Sequence, residues 1–147
     1  SRRQDSQMND SPFSKRTTTF VGLIVLFLLT LLFFTLGRSY FRIAAALAIA
    51  FGLLGLVLTV QTFRTHEPRL HRLFFLTTGI AAAMIPTSAL LHNLVYALCI
   101  LFFGDRFWAD GSDEPFFFLL AIVVGPALFV IGAVGSAILL IKGSATR

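Results

Sequence analysis

Few residues of this 147-residue chain could do chemistry inside its long apolar segments. The candidates carry an imidazole, two amides, a phenol and a thiol: His92, Asn93, Gln61, Tyr96 and Cys99. A neutral imidazole can ligate the iron of a haem or the magnesium of a chlorophyll, or accept a proton. His92 is therefore the candidate cofactor-binding residue, and a chlorophyll-type pigment or a bound lipid is the ligand class it would take. The favoured interpretation is that His92 and Asn93 hydrogen-bond a neighbouring helix or lie at the outer membrane interface.

No pattern in the sequence predicts an enzyme or a metal site. His66 and His71 lie close to a carboxylate, but their spacing matches no standard zinc site, and Pro68 interrupts a helix that could align them. His71 and His92 are too far apart for a bis-His haem, at about 31 Å along a helix. The single cysteine, Cys99, excludes an intrachain disulfide and a cysteine-rich metal site. We expect no catalytic residues and no metal ligands.

Composition places these candidates in a membrane protein. Apolar residues make up 56% of the chain and charged residues only 13%, whereas soluble domains carry about 25% charged residues. Apolar runs long enough to cross about 30 Å of hydrocarbon occupy four stretches, at 19–36, 43–63, 73–103 and 116–141. Because the connections between them are short, neighbouring runs must be antiparallel. The sequence therefore predicts an all-α fold, a bundle of four transmembrane helices.

The remaining segments are short tails. Residues 1–16 are polar and form an N-terminal tail, residues 17–142 form the transmembrane domain, and residues 143–147 form a C-terminal tail. None of the four apolar runs contains Asp, Glu, Lys or Arg. A proton-coupled exporter would carry a carboxylate inside the membrane, and a voltage sensor would carry several arginines. Both classes are therefore disfavoured.

The distribution of basic residues predicts the orientation. Nine Lys and Arg residues lie in the N-terminal tail, the second connection and the C-terminal tail, whereas three lie on the other side, at Arg38, Arg42 and Arg106. Basic residues concentrate on the cytoplasmic face of membrane proteins. We expect both termini in the cytoplasm and a bacterial inner membrane as the location. The net charge of +5 is explained by the basic connections, so no nucleic-acid partner is expected.

The third and fourth runs carry prolines that should modify their helices. The third run would measure about 46 Å as a helix, well beyond the hydrocarbon thickness. We expect one long helix kinked at Pro86, with a break near His92 that lays residues 94–103 in the outer leaflet as the less favoured alternative. The fourth run should kink at Pro126 and be capped by Ser112 or Asp113.

Polar residues around Pro86 have two interpretations. They could line a polar pocket, or they could hydrogen-bond to carbonyls of their own helix, and the second is the more common behaviour of hydroxyl side chains in helices. The residues are Thr77, Thr78, Thr87 and Ser88.

Small residues and arginines supply the other candidate surfaces. Small residues recur on one face of the second and fourth helices and predict close helix packing, within the bundle or against another protein, at Ala48, Gly52, Gly55, Gly132 and Ser136. Three arginines of the second connection should contact anionic lipid headgroups: Arg64, Arg69 and Arg72.

These observations favour a non-catalytic accessory or structural subunit that packs within a larger membrane protein complex. Membrane lipids and other membrane subunits are the expected partners. The first alternative is a cofactor-, pigment- or lipid-binding membrane protein that uses His92. The second is a small oligomeric channel or permease, which the apolar character of the spans disfavours.

Overall fold

Helices account for almost all of the described chain. The computed structural model describes residues 12–66, 68–104, 106–108 and 114–145. Its elements are α1 (Pro12–Thr35), a 3₁₀ turn (Arg38–Tyr40), α2 (Phe41–Phe63), α3 (Arg69–Phe103), α4 (Pro115–Leu119), a π-helical turn (Leu120–Val124) and α5 (Gly125–Ala145). The fourth span is continuous and consists of α4, the π-helical turn and α5. Four helical segments are long and apolar enough to cross a membrane, so the predicted all-α, four-helix fold is confirmed.

The first helix begins earlier than the apolar run suggests. α1 starts at Pro12, so residues 12–16 of the predicted polar tail belong to the helix. The connection to α2 turns at Gly37, whose φ of 99° is rarely adopted by L-residues. This tight turn makes α1 and α2 antiparallel.

The third helix occupies the centre of the bundle. α3 packs against α2 on one side and against α5 on another, while α1 packs mainly on α2. We call the end of the bundle that holds the start of α1 and the end of α5 the terminal end. The opposite end, which holds the 3₁₀ turn and the start of α4, is the hairpin end. Both described chain ends therefore lie on the same side of the bundle.

Aromatic side chains fill the core where α1, α2 and α5 meet. The ring of Phe27 in α1 lies 4.6 Å from that of Phe129 in α5 and 5.7 Å from that of Phe51 in α2, measured between centroids. Phe51 and Phe129 meet edge to face at 5.0 Å. Such contacts add to the dispersion energy of close packing. This cluster joins α1, α2 and α5 at the middle of the bundle.

The third helix passes through its proline without ending. α3 contains 35 residues, with Pro86 inside it, and is about 52 Å long at the α-helical rise. Residues 94–103 continue the same helix, so the alternative of a break near His92 is wrong. α3 is accordingly longer than the hydrocarbon thickness by about 20 Å.

The fourth span departs from α geometry beside its own proline. The π-helical turn Leu120–Val124 comes immediately before Gly125 and Pro126. Proline lacks the N–H that would bond the carbonyl four residues earlier, and a π-helical turn shifts the hydrogen-bonding register locally. The π-helical turn thus lies directly before Pro126, and the kink expected there stays a prediction.

Threonine hydroxyls around Pro86 bond back to their own helix. Thr77, Thr78 and Thr87 each donate to the carbonyl four residues earlier, at 2.9, 2.8 and 2.8 Å. Such bonds satisfy the hydroxyl groups without a ligand or a water-filled pocket. The interpretation as back-bonding residues is confirmed for these three threonines.

Candidate functional sites

The predicted small-residue face of α2 lies against α3. A Cβ on Gly55 would fall 2.7 Å from both the Ala82 Cβ and the Gly79 carbonyl oxygen, and one on Gly52 would fall 2.5 Å from the Pro86 Cγ. Only glycine allows the two backbones to approach this closely. Ala48 is half-buried on the same helix. The structure therefore places the glycines of this face inside the bundle, where they are not available to another protein.

The small residues of α5 also face α3. A Cβ on Gly132 would lie 2.7 Å from the backbone nitrogen and from the hydroxyl of Thr78. One helical turn away, the hydroxyl of Ser136 lies 3.5 Å from that of Thr78. All three residues are buried. The contact combines close backbone approach with a weak polar link, a common way to join helices in a membrane.

His92 is brought to Glu114 at the hairpin end. Its Nδ1 lies 3.0 Å from the carbonyl oxygen of Glu114 and 3.4 Å from the carboxylate Oε2. Because a carbonyl oxygen can only accept, the shorter contact requires the proton on Nδ1. Phe118 lies beside the imidazole, with ring centroids 5.5 Å apart. His92 thus makes the polar contact to a neighbouring helix that one of the two interpretations predicted.

Glu114 is the residue that caps the fourth span. Its carboxylate accepts from the backbone nitrogen of Phe116 at 2.8 Å and from that of Phe117 at 2.9 Å, and Pro115 occupies the first helical position. Ser112 and Asp113, the caps expected from the sequence, lie outside the described part of the chain, and within the described part the cap is Glu114. A carboxylate here is favourable because the helix dipole is positive at its N-terminus.

Aromatic residues cluster where α3 extends beyond the other helices. Tyr96 stacks on Trp108 with a centroid distance of 5.8 Å, and Phe103 stacks on Phe107 at 5.0 Å. Phe107 also meets Trp108 edge to face at 4.7 Å. These contacts fold the segment after α3 back against its last turns. The opposite side of those turns stays exposed.

The terminal end contains a buried arginine that the sequence analysis did not single out. Arg16 has no exposed surface. Its Nη1 donates to the hydroxyl of Thr65 at 3.4 Å, and its guanidinium carbon lies 4.3 Å from the centroid of Phe75. Arg16 begins the buried stripe of α1 that continues through Phe20 and Leu23, so helical periodicity extended past the apolar run would have found it.

The three arginines predicted to meet lipid are all exposed at the terminal end: Arg64, Arg69 and Arg72. The guanidinium of Arg72 lies 5.5 Å from the centroid of Phe63, the last residue of α2. Arg64 follows directly and borders a cleft on the exposed side of α2. Positive charge is thus concentrated around the end of α2.

Among residues 12–66, 68–104, 106–108 and 114–145, no group of three or more His, Cys, Asp or Glu side chains is placed to hold a metal ion. No protein-family model, curated protein or solved structure matches the chain.

Proposed function

We propose that the protein is a non-catalytic accessory subunit that docks on a larger membrane protein through the hairpin end of α3. The observation that carries this proposal is the projection of that helix. His92 lies level with the start of the fourth span. α3 continues eleven residues beyond His92, so it extends about 16 Å past that level.

The depth of the projection follows from the packing of α2 and α3. Gly52 lies against Pro86, and the two helices are antiparallel. Arg42, ten residues before Gly52, is therefore level with Tyr96, ten residues after Pro86. Because Arg42 is the first charged residue at this end of the second span, the hydrocarbon boundary lies close to that level. The turns of α3 beyond Tyr96 then reach past the acyl chains.

The last three residues of those turns are apolar and largely exposed, although Phe103 also stacks on Phe107. Leu101, Phe102 and Phe103 are 75%, 74% and 69% exposed. A contiguous apolar patch outside the hydrocarbon costs free energy, roughly 25 cal/mol for each Å² in contact with water. Burial against an apolar surface of a partner protein removes this cost. We call the patch formed by these three residues the α3 tip.

The interior of the described bundle supports the same role. Its glycines serve close packing, and its buried hydroxyl groups bond to the helices themselves. Such an interior gives a rigid body that presents the α3 tip at a fixed height. Rigid presentation lowers the entropic cost of association.

The experiment is purification of the tagged chain from its own membranes in a mild detergent. We expect it to migrate in an assembly much larger than a detergent-bound monomer, and we expect Phe102→Ser to release it. Phe116→Ser is the matched control, since Phe116 is also an exposed phenylalanine at the hairpin end but lies on α4. Migration of the wild type only as a free monomer would refute the proposal.

A second candidate function, binding of a metal-bearing pigment, rests on the geometry of His92. Its Nδ1 is directed at Glu114, and ligating histidines commonly use one ring nitrogen for such a contact and the other for the metal. Absorbance spectra of the purified wild type and His92→Ala test this role. A Soret or chlorin band lost in His92→Ala supports it, and a wild type without either band excludes it.

A further inference from the structure

A shallow, open apolar cleft on the outer face of α2 leads to a cationic group. Among the described residues the cleft is lined by Leu56, Val57, Val60, Gln61 and Arg64, and its volume is about 350 Å³. Leu56, Val57 and Val60 are about half exposed and face away from the bundle core. The cleft therefore runs along the membrane-facing surface of α2, from apolar side chains to a guanidinium.

The position of Arg64 along the membrane normal suits a phosphate. It is the first charged residue after the uncharged stretch of α2, which spans about 31 Å from residue 43 to residue 63. Leu56 lies eight residues before Arg64, about 12 Å deeper in the membrane. A lipid beside α2 would place its acyl chain against Leu56 and Val60 and its headgroup at the level of Arg64.

Further positive charges surround the end of the cleft. Arg72 is held over Phe63, at 5.5 Å from the ring centroid, and Phe63 directly precedes Arg64. Arg16 bonds the hydroxyl of Thr65, the residue after Arg64. Arg69 of the same connection is also exposed. Guanidinium groups gathered near the end of the cleft attract an anion.

We propose that this cleft binds one anionic phospholipid of the leaflet that faces the two termini. The acyl chain lies along Leu56, Val57 and Val60. The phosphate accepts hydrogen bonds from the guanidinium of Arg64, whose planar donors match phosphate oxygens in a bidentate geometry. Arg72 adds attraction over a longer distance, because charges at the membrane surface interact within a Debye length.

The proposal is tested with protein in nanodiscs made of equal parts phosphatidylglycerol and phosphatidylcholine. The lipids that stay bound to the protein after it is released from the nanodiscs are counted by native mass spectrometry. We expect the wild type to retain phosphatidylglycerol over phosphatidylcholine by about five-fold, the ratio typical of one interfacial charge contact. In Arg64→Gln the ratio should fall towards one. Arg42→Gln, which removes an exposed arginine at the hairpin end of the same helix, should keep the wild-type ratio.

Two further variants separate the headgroup from the acyl chain. Arg64→Lys keeps the charge but loses the bidentate geometry, so its ratio should lie between those of the wild type and Arg64→Gln. Val60→Trp fills the cleft and should lower the retention of both lipids, whereas Ile43→Trp, exposed at the hairpin end of the same helix, should not.

Equal retention of the two lipids by the wild type would overturn the proposal, as would an unchanged ratio in Arg64→Gln protein that elutes as a folded species. The accessory role is tested separately. The α3 tip lies at the hairpin end and the cleft at the terminal end, so loss of migration in an assembly and loss of lipid preference can occur independently.

Discussion

At the scale of single residues, Arg16 shows how a charged side chain can be part of a membrane-protein core. It lies one helical turn before Phe20 on the buried face of α1. It contacts Thr65, which follows α2, and Phe75 of α3. A guanidinium can be buried this way because it is planar and weakly hydrated and can stack on an aromatic ring. Arg16 therefore links three helices at the terminal end.

We predict that Arg16→Ala lowers the free energy of unfolding by about 2–3 kcal/mol, since a desolvated cation–π contact is worth about 2 kcal/mol and the truncation also leaves a cavity. SDS-induced unfolding in detergent micelles measures the change. Lys15→Ala is the control because Lys15 is the exposed neighbour, and it should change stability by less than about 0.5 kcal/mol. Equal effects of the two variants would contradict a core role for Arg16.

Glu114 combines two functions in one carboxylate. It caps the fourth span through the backbone nitrogens of Phe116 and Phe117, and it contacts His92 of α3. The cap fixes the residue at which the fourth span begins. The contact with His92 fixes the position of that residue relative to α3. The pair therefore sets the register between the third and fourth spans.

We predict that Glu114→Ala destabilises the protein by about 1–2 kcal/mol, because two backbone N–H groups lose their acceptor. A double-mutant cycle with His92→Ala should give a coupling energy of at least about 0.5 kcal/mol. The same cycle with Asn93→Ala should give none, since the Asn93 amide donates to the Ala89 carbonyl of its own helix. Thermal unfolding in detergent measures the three single and two double variants beside the wild type. Coupling of similar size in both cycles would show that the His92 contact is not specific.

At the scale of elements, the location and helical character of each span could be predicted because hydropathy depends only on local sequence. The helical conformation of residues 12–16 could not, since this stretch contains Ser14, Lys15 and Arg16 and lies outside the apolar run. The contact between His92 and Glu114 could not be predicted from the sequence either. It depends on the relative height of two helices joined by a connection, and no local pattern encodes that height.

The α3–α5 contact leaves no space for a side chain at Gly132. We predict that Gly132→Val destabilises the bundle by about 1–3 kcal/mol, because its side chain would overlap the backbone and hydroxyl of Thr78 and force the helices apart. Ala127→Val is the matched control, as Ala127 is exposed on the same helix. SDS-induced unfolding compares the two. A Gly132→Val protein as stable as the control would mean that α3 and α5 can separate without cost.

At the scale of the whole molecule, the two ends of the bundle differ in charge and in shape. The terminal end carries the arginines around α2 and the lipid cleft, whereas the hairpin end carries the capping carboxylate and the projecting α3 tip. This polarity agrees with the nine-to-three distribution of basic residues in the sequence. An asymmetric molecule of this kind should insert in one orientation, with its terminal end towards the cytoplasm.

That orientation can be read from single cysteines placed in a Cys99→Ser background. We predict that Arg106→Cys reacts with a membrane-impermeant maleimide in intact cells, because Arg106 is exposed at the hairpin end. His66→Cys, exposed at the terminal end, should react only after the membrane is permeabilised. The reverse pattern would place the basic end outside. It would also move the proposed lipid site to the outer leaflet and the α3 tip to the cytoplasm, so this labelling decides on which side of the membrane the docking partner must present its apolar surface.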